Sequence, residues 1–255
     1  MPTSALIAIQ QNMTRLTMDC PVCESKHHSA AASKNGYDIH RCLDCGLLFI
    51  HPFPSPGELL DFYSNYHKSK HYGDKIASKF KRARKRISSL GRANGLALLD
   101  VGCNLGFATE AGRSLGYRAL GIDIDEDAVE RAKVAFPECD FRSVSIDVLA
   151  NGSEKFDTIY CSEVIEHLVN PLDFLKDIKS VMKNHGVLFM TTPDVGHYSL
   201  PREIGKLVEW TTFRPPEHLL YFDRKSLGHL FKKAGFREVK FKFSLKPTLK
   251  VIARI

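Results

Sequence analysis

The sequence predicts an α/β fold: a doubly wound, mostly parallel sheet with helices on both faces, preceded by a small cysteine-knuckle module. Three observations carry this. From Leu96 onward, apolar strand-like runs alternate with amphipathic helical stretches. The first of these strands ends in a glycine bend, Gly102 to Gly106, where a helix begins. Ahead of this region lie two Cys-x-x-Cys pairs, Cys20/Cys23 and Cys42/Cys45.

At 255 residues, 44% hydrophobic and 25% charged, the chain suits one sizeable core plus an accessory module. No apolar run approaches the roughly 18 residues of a membrane span, so no membrane partner is expected. The first residues, with Gln10, Gln11, Asn12 and Arg15, lack the pattern of a secretory signal. A cytoplasmic protein is expected. Much of the +7 charge sits in Lys79, Lys81, Arg82, Arg84, Lys85 and Arg86. That run reads as a solvated helix face, with nucleic-acid binding as the alternative. Seven unevenly placed cysteines do not make a disulfide framework and fit a reducing compartment.

The two cysteine pairs are separated by 18 residues, the arrangement of a four-thiolate tetrahedral zinc site. Four thiolates leave no coordination position for water, so this zinc is structural. Tyr37 to Arg41 alternates like a strand, and Leu47 to Ile50 continues beyond the second pair. Residues 16–57 are assigned to this zinc ribbon. His27, His28 and His40 read as surface histidines. Residues 58–95 form a helical linker or lid, in which Tyr63, Tyr66 and Tyr72 are possible substrate contacts.

Residues 96–255 form the doubly wound domain. Leu96 to Val101 is the first strand, Leu105 to Leu115 a helix, and Arg118 to Ile124 the second strand. Asp125 caps the next helix, with Val129, Ala132 and Phe136 on its apolar face. Phe141 to Ile146 is the third strand and Phe156 to Cys161 the fourth. Asn170-Pro171 opens a helix, and Gly186 to Thr191 is the fifth strand. Asp223 caps the last helix and Gly235 stops it. Glu238 to Ser244 and Leu249 to Ile255 have no helix between them and so form an antiparallel hairpin.

Such sheets bind ligands at the carboxyl ends of their strands. Gly102 and Gly106 let backbone approach a ligand, and the following helix N-terminus offers free N–H groups. Asp123, ending the second strand, can accept from both ribose hydroxyls, and Ile124 can pack on an adenine. The Gly-x-x-x-Gly spacing departs from the dinucleotide fingerprint.

Leu98-Leu99-Asp100-Val101-Gly102-Cys103-Asn104-Leu105-Gly106 resembles motif I of class I S-adenosylmethionine (SAM)-dependent methyltransferases. Ala119 to Asp123, Phe156 to Leu168 and Gly186 to Phe189 resemble their motifs at the second, fourth and fifth strands. The resemblance runs from about Leu96 to the C-terminus and implies a Rossmann-like fold and SAM as cofactor. It places SAM at Asp100, Gly102, Asn104 and Gly106, with Asp123 on the ribose, Ile146 and Asp147 by the adenine, and Cys161 at the methionine end. Asn104 stands where many members carry glycine. With its zinc ribbon the chain also resembles methyltransferases of surface-glycan and natural-product pathways.

Methyl transfer requires holding acceptor and methyl together and, for a hydroxyl acceptor, moving one proton. Glu163, Glu166 and His167 fall at i, i+3 and i+4, sharing a face if this segment is helical. His218 follows in Pro215-Pro216-Glu217-His218. Glu-x-x-Glu-His resembles ubiquinone-pathway O-methyltransferases and, with a distant histidine, the metal site of small-RNA methyltransferases. This implies catalytic roles for Glu163, Glu166, His167 and His218, with His218 as general base or, alternatively, Mg²⁺ or Mn²⁺ held by all four. Trp210, Phe213 and Tyr221 are candidates for shaping an acceptor pocket. The expected reaction is O-methylation of a small acceptor such as a sugar or secondary metabolite. The alternatives are an RNA methyltransferase, a non-catalytic SAM-binding module and, more distantly, an NAD-dependent dehydrogenase.

Overall fold

A computed structural model describes residues 19–55, 57–59 and 76–255. Tyr63, Tyr66 and Tyr72 lie outside them. The elements are β1 (His28–Lys34), β2 (Tyr37–Cys42), β3 (Leu48–His51), α1 (Ile76–Ser88), β4 (Ala97–Val101), α2 (Phe107–Arg113), β5 (Arg118–Asp123), α3 (Glu126–Ala135), β6 (Asp140–Ser143), α4 (Ile146–Ala150), β7 (Phe156–Ser162), α5 (Pro171–Ser180), β8 (Met182–Pro193), α6 (Ile204–Leu207), β9 (Leu220–Tyr221), α7 (Arg224–Lys233), β10 (Glu238–Lys242) and β11 (Thr248–Arg254).

Seven strands form the main sheet in the order β10-β11-β8-β7-β4-β5-β6. β6, β5, β4, β7 and β8 run parallel, while β11 is antiparallel to both β8 and β10. This is the expected doubly wound sheet with a hairpin at its end. Strand order reverses direction at β4, so the carboxyl ends of β4 and β7 open a crevice there. Local chemistry sets the helix starts. Asp125 accepts from the Ala128 N–H, Pro171 occupies the first turn of α5, and Asp223 and Ser226 form a reciprocal capping box.

Two strands differ most from expectation. The third strand ends at Ser143, and Ile146 and Asp147 open α4 instead. The fifth strand extends at both ends, from Met182 to Pro193.

The ribbon strands pair as β1-β2-β3, and β9 of the catalytic region adds a fourth strand beside β3. Leu48 lies opposite Tyr221 and Phe49 opposite Leu220. The Ile50 N–H donates to the Leu219 carbonyl at 3.0 Å, and the Leu219 N–H donates to the Glu166 carbonyl at 2.9 Å. Ribbon residues Val22, Ile39, Leu47 and Ile50 belong to the same buried cluster as Val101, Ile165 and Met190. The cysteine module is thus hydrogen-bonded through one residue to the turn that follows β7.

Candidate active site

The four ribbon sulfurs converge. Cys20 and Cys45 Sγ are 3.5 Å apart, Cys23 and Cys42 Sγ 3.4 Å, and all four lie within 4.8 Å of one another. Tetrahedral zinc, with bonds of about 2.3 Å, sets sulfurs roughly 3.8 Å apart, so the donors fit that ion. Gly46, at φ 85°, bends the second knuckle, and the Cys45 N–H points at the Cys42 sulfur. His28 and His40 are half-buried rather than plain surface residues, with their Nδ1 atoms 2.9 Å apart.

At the sheet's carboxyl edge the bend after β4 holds Gly102, Asn104 and Gly106 at φ values of 74°, 47° and 79°. Asp123 fixes this bend. Its Oδ2 accepts from the Asn104 N–H at 2.8 Å and its Oδ1 from the Asp125 N–H at 3.0 Å. Burial raises the Asp123 carboxyl above its ordinary range. A Cβ on Gly102 would lie 2.4 Å from Val164 Cγ2, and one on Gly106 would lie 2.6 Å from the Phe141 ring. The glycines therefore serve both conformation and close packing. Ile124 is 40% exposed beside Asp123, as an adenine platform requires.

Three expected cofactor residues face elsewhere. Asp100 is buried and accepts from Thr109 Oγ1 at 2.8 Å, tying β4 to α2, and burial pushes its carboxyl up to about 7. Cys161 is fully buried in the main core cluster, since β7 is a central strand covered on both faces. Ile146 is also buried in that cluster, on the first turn of α4, while Asp147 beside it is half-buried.

The segment after β7 is not one helical face. Glu163 sits at φ 59° ahead of a single 3-10 turn, Ile165–His167. The Glu163 carboxylate accepts from Thr191 Oγ1 at 2.8 Å, whereas Glu166 accepts from Thr192 Oγ1 at 2.9 Å. Glu166, His167 and His218 bring one donor atom each within 4.8 Å of one another, and Glu163 lies outside this group. The two imidazoles pack edge to face, with centroids 4.8 Å apart.

Hydrogen bonds assign the tautomers. His167 Nδ1 lies 2.7 Å from the Glu217 carbonyl, so it carries the proton and Nε2 is the basic nitrogen. Nε2 stands 3.9 Å from Glu166 Oε1. For His218, the Arg214 guanidinium donates to Nε2 at 3.1 Å, which leaves the proton on Nδ1. Buried Glu166 Oε1 and His218 Nδ1 have no hydrogen-bond partner among the described residues. Burial, and then the neighbouring Glu163, raise the Glu166 carboxyl well above its usual range. Burial lowers His167 to about 4 and His218 to about 3, Arg214 adding to both.

Phe213 and Tyr221 are almost fully buried and stack at 4.1 Å, and the Tyr221 hydroxyl donates to the His218 carbonyl at 3.0 Å. They position His218 and present no surface to an acceptor; Trp210 is half-buried. Thr191, Thr192 and Arg214 are further site residues that no motif in the sequence marks. The two threonines lie in a strand and Arg214 in an insertion, so no spacing marks them.

Residues 70–240, about two thirds of the chain, match the family described as methyltransferase domain. The chain belongs to that family. A ubiquinone biosynthesis O-methyltransferase of Actinobacillus pleuropneumoniae is 35% identical over 113 residues, covering 40% of this chain and 48% of the relative. A ubiquinone biosynthesis O-methyltransferase of Cereibacter sphaeroides is 29% identical over 147 residues, covering 52% and 60%. The chain thus spans about half the length of the curated relatives it matches. Among solved structures, magnesium protoporphyrin IX methyltransferase of Synechocystis with bound S-adenosylhomocysteine (SAH) superposes with a TM-score of 0.55 at 15% identity, covering 78% and 95% of the two chains. A SAM-dependent methyltransferase of Archaeoglobus fulgidus superposes at 0.58 with 18% identity, covering 77% and 99%. At these identities the likeness shows the fold. No helix among the described residues is long and apolar enough to cross a membrane.

Proposed function

We propose that the chain is a SAM-dependent methyltransferase that methylates a hydroxyl of a small-molecule acceptor. The observation that carries the reading is the Glu166–His167–His218 cluster, held by the turn after β7 beside the cofactor bend. When bound, SAM supplies a methyl group already activated on a sulfonium. Gly102, Asn104 and Gly106 would hold it, with Asp123 on the ribose. The remaining task is to align a hydroxyl and remove its proton. His167 Nε2 would take that proton, a reading supported by the Glu217 carbonyl, which fixes the other nitrogen as the donor. Glu166, 3.9 Å away, would share the resulting charge. His218, locked by Arg214 as an Nδ1–H donor, would orient the acceptor instead of serving as base. The ubiquinone-pathway relatives, named as O-methyltransferases, support the same direction. A small acceptor is favoured over RNA because the basic run is not a purely solvated face: Arg86 turns inward onto the sheet.

A divalent cation at Glu166, His167 and His218 is the second reading, supported by the convergence of their donor atoms. Arg214 counts against it, since it occupies the His218 nitrogen whose protonation would free Nδ1 as a ligand.

Calorimetry with SAH tests the cofactor, and turnover of a catechol panel, with and without chelator, tests the reaction. Chelator-resistant turnover lost in His167→Asn supports the base reading. Chelator-sensitive turnover restored by Mn²⁺ supports the cation. Absence of SAH binding overturns both.

A further inference from the structure

A row of register partners crosses the carboxyl edge of the sheet: Lys242 opposite Lys250, Lys250 opposite Thr191, and Thr191 beside Ser162. Such partners project from one face. Ser162 Oγ and Thr191 Oγ1 are 2.8 Å apart. From α1, on the same face, Arg86 Nη1 donates to Tyr160 Oη at 3.0 Å and to Ser162 Oγ at 3.2 Å, with its guanidinium 5.8 Å from the Phe189 ring centroid. Lys85 on that helix and Lys246 in the β10–β11 turn act on Lys250 together with Arg86. Burial first, then these three charges, push the Lys250 ammonium below its ordinary range.

Two lysines directly opposite each other destabilise a sheet, and a half-buried arginine without a counterion does the same. Some of the chain's other cations are paired: Arg113 with Glu110 and Glu138, Arg142 with Glu154, Lys183 with Asp157, and Arg254 with Glu238. Among the described residues, no carboxylate lies within 4.0 Å of the side-chain nitrogens of Lys85, Arg86, Lys242, Lys246 or Lys250. Glu163, at the end of β7, accepts from Thr191. The cluster therefore concentrates positive charge at half-buried Arg86 and Lys250.

We propose that Arg86 and Lys250, flanked by Lys85, Lys242 and Lys246, form a receptor for an anionic group of the acceptor, a carboxylate or a phosphoryl group. This rests on the methyltransferase reading, which puts the acceptor at this edge. The cofactor's own carboxylate is the other source of such a group. Lys250 is three strands from β4, on the order of 14 Å, which favours the acceptor.

The test uses the full chain saturated with SAH and titrated by calorimetry with benzoate and, separately, with pyrophosphate. Saturable binding of one probe is expected, weakened at least tenfold in Lys250→Met and in Arg86→Met, while SAH affinity stays within twofold. The probe that binds names the group. Because Arg86 also anchors Tyr160, Lys250→Met serves as the decisive variant, with thermal unfolding as the check on its fold. Absence of saturable binding by either probe into the tens of millimolar overturns the proposal. So does a loss of SAH affinity in Lys250→Met with methylthioadenosine affinity unchanged, which would place the cofactor's carboxylate there. Failure of SAH to bind the parent chain would instead overturn the reading beneath the proposal.

Discussion

Gly102→Ala isolates the link between the cofactor bend and the proton-handling turn. Gly102 sits at φ 74°, where an L-residue costs roughly 1–2 kcal/mol. The added Cβ would also stand 2.4 Å from Val164 Cγ2, against an optimal carbon–carbon separation of about 3.5–4.0 Å. Relieving that overlap by displacing Val164 costs about 1–3 kcal/mol. The sum is about 2–5 kcal/mol of unfolding free energy. Val164 lies between Glu163 and the Ile165–His167 turn, so its displacement moves Glu166 and His167 as well. Urea unfolding measures the first effect and SAH calorimetry the second; weaker SAH binding should accompany the instability. Adding Val164→Ala removes the clashing methyl but not the backbone strain. The double variant should then be more stable than the sum of its single changes by about 1–3 kcal/mol. The reasoning is refuted if Gly102→Ala unfolds within about 0.5 kcal/mol of the parent, or if the two changes are simply additive.

Three further outcomes follow from the same geometry. Asp123→Asn should weaken SAH binding at least tenfold, since a hydrogen bond to a charged group contributes about 1.5–3 kcal/mol, and calorimetry reads this directly. Metal analysis should find one zinc per chain, lost in Cys42→Ser. That variant should also lose turnover, because β3 is tied through Leu219 to Glu166; full activity without zinc would break the link. Finally, His167 and His218 have folded values of about 4 and about 3 against about 6.5 unfolded, so the unfolded chain binds their protons first. Their contribution is complete above about pH 6.5 and is lost as pH falls toward about 4 and then about 3. Between pH 7 and 5 the loss should be about 2 kcal/mol per histidine, and His167→Asn/His218→Asn should show a flatter urea-stability profile across that range.

What was legible in the sequence divides along physical lines. Strand and helix alternation, the caps at Asp125 and Asp223, and the bend at Gly102 and Gly106 are local properties, and each stands where expected. The cysteine spacing likewise predicts a convergence that the sulfurs show. Side-chain direction was less legible. Asp100, Cys161 and Ile146 lie in matching motifs, yet the central strands β4 and β7 and the first turn of α4 place them in the core. The spacing of Glu163, Glu166 and His167 suggested one helical face, but the positive φ at Glu163 breaks the helix before it begins. Nor could any local pattern reveal that β9 would join the ribbon sheet, since Leu48 and Tyr221 meet only through the fold.

The strand period of two explains how this edge divides its polar side chains between two faces. Thr191 and Thr192 are consecutive on β8 and so project to opposite faces. Thr191 serves Glu163 and Ser162 on the face that carries Arg86 and Lys250. Thr192 serves Glu166 on the face that carries His167 and His218. One dipeptide thus turns its two hydroxyls to opposite faces, one with Arg86 and Lys250 and the other with Glu166, His167 and His218. Glu163, held by Thr191, links the two sides, since it is the neighbouring carboxylate that acts on Glu166.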